Sequence, residues 1–236
     1  MAWNSAAYAM LGPDDESAEA RADLTELEHA TGAPLPEAVR EWYLLGGDRR
    51  LAAISSNLVT QTPDFNGQTI NRFLPSGFLL LETDSQHCCR WVVATSTTND
   101  DPPVYLIDPD DDACVTRTRY ANTFSDYAFT CAWDAELWNG ELLTDFDHPL
   151  PLGALDTLKA RLTVLPTTYG WAMNQSCDAV YRFNGPALIA LGVSGTTALW
   201  SAIAASSPVT REAFARLIGA APDGRATGVS EAGSLR

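Results

Sequence analysis

The most reactive side chains in this sequence lie in one run, His87-Cys88-Cys89. An imidazole beside a thiol can lower the thiol's pKa and make a thiolate nucleophile. The same run also opens a β-branched and aromatic segment, Cys88 to Ala94, and neighbours on a strand point to opposite faces. His87 then turns away from Cys88, and the run reads as a turn histidine followed by core thiols. A second run, Asp108-Pro109-Asp110-Asp111-Asp112, has carboxylates enough to attract a divalent cation. A helix–loop–helix calcium loop needs ligands at alternating positions, a Gly at the sixth and a Glu at the twelfth. The sixth position from Asp108 is Ala113, so a solvated acidic turn between strands fits better. Asp100-Asp101-Pro102-Pro103 reads as another acidic turn, made rigid by its prolines.

Other catalytic patterns are missing from the sequence. His29, His87 and His148 stand far apart and form no zinc-binding frame. Gly192-Val193-Ser194-Gly195 lacks the Lys and the strand-to-helix setting of a phosphate loop. There is no Gly-x-Ser-x-Gly elbow. Trp42 and Trp91 sit in patterned elements and are expected in the core. No catalytic residue, metal site or cofactor is expected.

The elements that would carry these runs can be read from periodicity. Leu24, Leu27 and Ala30 mark one face of an acidic helix near 17–31, and Gly32 suits the left-handed position past its end. Leu35-Pro36 leads into a helix near 36–45, with Pro36 expected in its first turn. Val39, Trp42 and Tyr43 give that helix one apolar stripe, and Gly46-Gly47 is expected to stop it. Residues 48–75 read as loop or short extended pieces, with a turn at Asn66-Gly67. Strands are expected at 77–82, 88–94 and 103–108, with a fourth near 115–120, joined by short turns as an antiparallel meander. A helix fits 123–138, with Phe124, Tyr127, Ala128 and Cys131 on its inner face. Phe146 to Pro151 reads as a linker. Beyond it come a helix at 152–162, extended pieces at 164–172, 179–184 and 186–193, a strand at 198–205 and a helix at 209–218. Asn184-Gly185 is a hairpin signal. The chain thus divides into a flexible N-terminal arm (1–16), a main domain (17–147), a C-terminal α+β extension (152–219) and a disordered tail (220–236). The fold class is α+β, a small antiparallel or mixed sheet flanked by helices.

Composition bounds the role. The formal net charge is −15 over 236 residues. Residues 1–152 carry 25 Asp and Glu against 8 Lys and Arg, while residues 153–236 carry 5 against 7. An acidic surface repels nucleic-acid phosphates and attracts basic partners. No apolar run reaches the roughly 18–20 residues that span a bilayer. The N-terminus lacks the basic region and apolar core of a signal peptide, so a cytoplasmic protein is expected. The five Cys, at 88, 89, 114, 131 and 177, include no Cys-x-x-Cys pair and are expected to be reduced.

Four motifs in order give a family resemblance. Leu24, Leu27, Glu28, Gly32, Leu35, Pro36, Val39, Trp42, Tyr43 and Gly46-Gly47 are similar to the opening signature of the SUKH superfamily, the Smi/Knr-like proteins. Gln86 to Val93, with Trp91, is similar to its strand motif. Asp101-Pro102-Pro103-Val104-Tyr105 resembles its "dPpVy" strand, and Phe124-Ser125-Asp126-Tyr127 the start of its closing helix. The match covers about half of the chain. It leaves out residues 152–219, an appendage that would shape the partner site or form dimers, and the segment 48–75 is long for the family. The resemblance implies an α+β fold with no active site, in which Leu27, Gly32, Leu35, Pro36, Trp42, Gly46, Trp91, Pro103, Tyr105 and Phe124 build the core. It also implies a bacterial immunity protein that binds and neutralises a nuclease- or deaminase-like toxin. The alternative is a regulatory scaffold with no toxin partner. In either case the expected partner is a protein, basic on its contacting face, with no nucleic acid or membrane involved. The partner-binding candidates are Asp100, Asp101, Asp108, Asp110, Asp111 and Asp112, acidic residues in strand-end loops.

Overall fold

The structure, a computed structural model, describes residues 3–66, 72–140, 142–146, 149–170 and 177–219. The fold is α+β, with seven helices and two antiparallel sheets among the described residues. The chain forms two compact units, Met1–Glu136 with Thr168–Gln175, and Leu137–Thr167 with Ser176–Arg236. The Asn66-Gly67 turn, the middle of the linker and the 220–236 tail fall partly or wholly outside the described residues.

The first unit begins with four helices: α1 (Ser5–Leu11), α2 (Ala18–Thr31), α3 (Glu37–Leu44) and α4 (Gly47–Ala52). Ser17 caps α2, its hydroxyl accepting from the Ala20 N–H at 3.3 Å, and Gly32 closes it at φ 71°. The α2–α3 turn is tied by Glu28. Its carboxylate accepts the Leu35 N–H at 3.1 Å and pairs with Arg40 at 3.2 Å. A glutamate one turn before the helix end thus fixes the angle between two apolar stripes. Leu24, Leu27, Leu35, Val39, Trp42 and Tyr43 are all buried. Pro36 sits at the N-cap of α3 rather than inside its first turn.

Two local expectations need correction. The N-terminal arm is not loose across residues 5–11, which form α1, with Ala7 and Tyr8 in the core. α1 has no side-chain cap of its own. It is held from α3, where the Glu41 carboxylate accepts the Trp3 and Asn4 N–H groups at 2.9 and 2.8 Å. The segment after Gly46-Gly47 is helical, not loop. Gly46 at φ 69° turns the chain directly into α4. Gly47 is needed for space, since a Cβ there would lie 2.2 Å from the Trp42 ring.

The first sheet is a meander in the order β1 (Leu58–Val59), β2 (Phe78–Thr83), β3 (Arg90–Ala94), β4 (Val104–Ile107) and β5 (Thr118–Ala121). Leu79 pairs with Val93, and Val92 with Tyr105. The β2–β3 register shifts between Leu80 and Glu82. α5 (Phe124–Trp138) follows, and Phe124 meets Trp42 edge-on at 6.4 Å. Trp91 and Phe124 are buried, while Pro103 and Tyr105 are only half-buried.

The second unit starts earlier than residue 152. β6 (Leu143–Phe146) belongs to it, pairing Asp145 with Ala202 and Leu143 with Ala204. α6 (Ala154–Arg161), β7 (Thr163–Val164), β8 (Thr168–Tyr169), β9 (Ala179–Asn184), β10 (Ala187–Ser194), β11 (Thr197–Ala205) and α7 (Pro208–Leu217) complete the chain; β8 falls in the residues grouped with the first unit. The second sheet runs β6-β11-β10-β9-β7, all antiparallel. The β9–β10 connection leaves Asn184 and crosses in two residues. Leu158, Phe183, Ile189, Leu191, Ile203 and Ile218 form this unit's core.

Candidate functional site

In an antiparallel meander, consecutive connections alternate between the two ends of the sheet. That separates the six aspartates. Asp100 and Asp101 lie in the β3–β4 connection, at one end. Asp108, Asp110, Asp111 and Asp112 lie in the β4–β5 connection, at the other end. The four residues of β4 stand between them, which is at least about 13 Å at ~3.3 Å per residue. The six candidate aspartates therefore lie in two separate loops, at opposite ends of the sheet.

The β3–β4 pair serves the fold. The Asp101 carboxylate accepts the Ser125 N–H at 2.9 Å and the Ser125 hydroxyl at 2.5 Å, satisfying the open N-terminus of α5. The Asp100 carbonyl accepts the Ala38 N–H at 2.9 Å, in the first turn of α3. Of this pair, Asp100 has an exposed carboxylate with no partner among the described residues. Asp101 is a capping residue.

The β4–β5 connection is a shaped loop. The Asp108 carboxylate accepts the Asp110 N–H at 3.0 Å, and the Asp108 carbonyl accepts the Asp111 N–H at 3.0 Å. Asp111 accepts the Thr116 N–H at 2.7 Å and the Thr116 hydroxyl at 2.8 Å, bonds that lower its pKa. Asp112 pairs with Arg90 at 2.9 Å and Arg72 at 3.6 Å. Cys114, at φ 53°, drops its side chain into the core and pins the middle of the loop. Arg117 donates to the Cys114 carbonyl at 2.9 Å and lies over the Phe78 and Tyr105 rings. Asp111 and Asp112 are therefore spent on the loop's shape. Asp108 and Asp110 are exposed.

The fourth strand, expected near 115–120, begins only at Thr118. Val115 is 74% exposed in the β4–β5 loop. The available signal was a β-branched residue closely following the acidic run 110–112. The β2–β3 turn lies at the same end of the sheet. Asp84 organises it, accepting the Gln86 N–H at 2.9 Å and the Cys88 N–H at 3.2 Å.

The His87–Cys89 dyad does not form. His87 is exposed in the turn, at φ 57°, while Cys89 is buried. Burial pushes the Cys89 thiol well above its ordinary value, and the Cys114 thiol up to about 11. All five cysteines are free. No group of His, Cys, Asp and Glu among the described residues could hold a metal ion.

One polar cluster had no sequence signal. Glu82, next to the β2 bulge, is 3% exposed. It accepts from the Tyr127 hydroxyl, from Cys131 Sγ at 3.2 Å and from Asn57 Nδ2 at 3.1 Å. Burial raises its pKa, against the lowering effect of those donors. The three donors come from α5 and the segment before β1, 25 to 49 residues away in sequence. The cluster joins the sheet to α5.

Comparison with known protein families, with curated proteins and with solved structures finds no match. No helix among the described residues is long and apolar enough to cross a membrane.

Proposed function

We propose that this chain is a non-catalytic protein-binding domain of the immunity type, which neutralises a basic nuclease- or deaminase-like toxin in the cytoplasm through its β4–β5 loop. The observation that carries the reading is the loop itself: two exposed carboxylates, Asp108 and Asp110, beside an exposed Val115, on a backbone fixed by Asp111, Asp112 and Cys114. A fixed loop loses little conformational freedom on binding, and its charges steer a basic partner while the apolar tip supplies burial. The acidic balance of residues 1–152 adds long-range attraction of the same sign. The SUKH-like signature in the α2–α3 segment and in the strands points the same way.

The test is co-expression with the product of an adjacent toxin-like gene, followed by co-purification. The reading expects a stable complex and loss of toxicity. It is abandoned if no neighbouring product is bound or neutralised.

A further inference from the structure

A groove of about 300 Å³ opens beside α3, away from the acidic loop in sequence. Leu44 and Leu45 line it together with Trp3, a residue 41% exposed. Glu16, Glu37 and Glu41 bring three carboxylates to it, against the one cation Arg40. That cation is already engaged, 3.2 Å from Glu28. Glu16 pairs with Arg21, and Glu41 is held by the Trp3 and Asn4 N–H groups and by Asn4 Nδ2. The Glu37 carboxylate is exposed and has no partner among the described residues.

We infer that this groove receives an arginine side chain from a protein partner. The reasons are chemical. A planar guanidinium can lie on an exposed indole while donating in a fork to one carboxylate. The groove offers an indole wall, a free carboxylate at Glu37 and an excess of negative charge. Its walls are held in advance, because Glu41 ties the Trp3 backbone to α3. Its volume is at the low end of ligand clefts, roughly 300–1,000 Å³, which suits one long side chain. The inference relies on the proposed function only for the source of the arginine. The groove and the acidic loop carry no residue in common, so each fails or stands separately.

The test is a ¹⁵N-HSQC titration of the full chain with N-acetyl-arginine amide, using N-acetyl-citrulline amide as the uncharged isostere. The expected result is saturable shifts at the Trp3 indole N–H and the Glu37 and Glu41 amides, with Kd on the order of 10 mM. Citrulline should give none. Glu37→Gln, an exposed change that leaves the fold intact, should weaken binding about threefold to tenfold. Asp156→Asn, which removes an exposed charge from α6, should leave it unchanged. The inference is overturned by equal shifts with citrulline, by shifts spread over the acidic surface without saturation, or by an unaltered Kd in Glu37→Gln.

Discussion

Asp48 offers the sharpest physical test of this fold. It is fully buried at the start of α4. Its Oδ2 accepts the Thr62 N–H at 3.1 Å, and its Oδ1 has no hydrogen-bond partner. Burial outweighs that bond and the nearby Arg49 charge, raising its pKa from 3.8 to about 6. A carboxyl group with a raised folded-state pKa stabilises the protein most when protonated. Its contribution is complete below the unfolded value of 3.8 and is lost as pH rises through about 6. The two values differ by about 3 kcal/mol of stability, of which about 2 to 3 kcal/mol falls between pH 4 and 8. Asp48→Asn keeps an acceptor for Thr62 and cannot ionise. Urea unfolding followed by circular dichroism, at each pH, gives the difference between variant and wild type. That difference should move in favour of Asn by about 2 to 3 kcal/mol from pH 4 to 8. Glu82 has the same sign of shift but is present in both proteins, so it cancels. A flat difference, or one moving towards the wild type, would refute the assignment of Asp48 as a carboxylate destabilised by burial.

Tyr127→Phe removes a donor from the buried Glu82 and should cost about 1–3 kcal/mol in denaturant unfolding. Gly47→Ala drives a methyl group to 2.2 Å from the Trp42 ring, so a loss of about 1–3 kcal/mol is expected, read as a lower melting temperature. Glu28→Ala unties Leu35 from α2 and strands Arg40; it should cost about 1–2 kcal/mol, with faster amide exchange at Leu35 as the local readout.

The parts of the fold that repeat with a period were legible. The stripes Leu24-Leu27 and Val39-Trp42-Tyr43, and the three apolar strands with short turns, each follow from local rules and all are present. What could not be read depends on residues far apart. α1 has too few residues and no cap to declare itself, and its support is Glu41, more than thirty positions on. Gly46-Gly47 does end α3, at Leu44. What local rules hid is that the same pair turns the chain directly into α4 against the Trp42 ring. β6 belongs to the second unit through its pairing with β11, a contact between residues some sixty apart. At the candidate site the run of aspartates was visible, but not its division of labour. Asp101 caps a helix, Asp111 and Asp112 shape a loop, and Asp108 and Asp110 stay exposed. Burial of Glu82 was hidden because a glutamate at a strand end ordinarily faces water.

The central claim is that the β4–β5 loop binds a basic protein. The most direct measurement is isothermal titration calorimetry of the wild type and of Asp108→Asn/Asp110→Asn against the adjacent toxin-like protein, at several salt concentrations. The account predicts that the double variant keeps its circular dichroism spectrum, binds at least about tenfold more weakly and shows a shallower salt dependence. Equal affinity and equal salt dependence for the two proteins would contradict it.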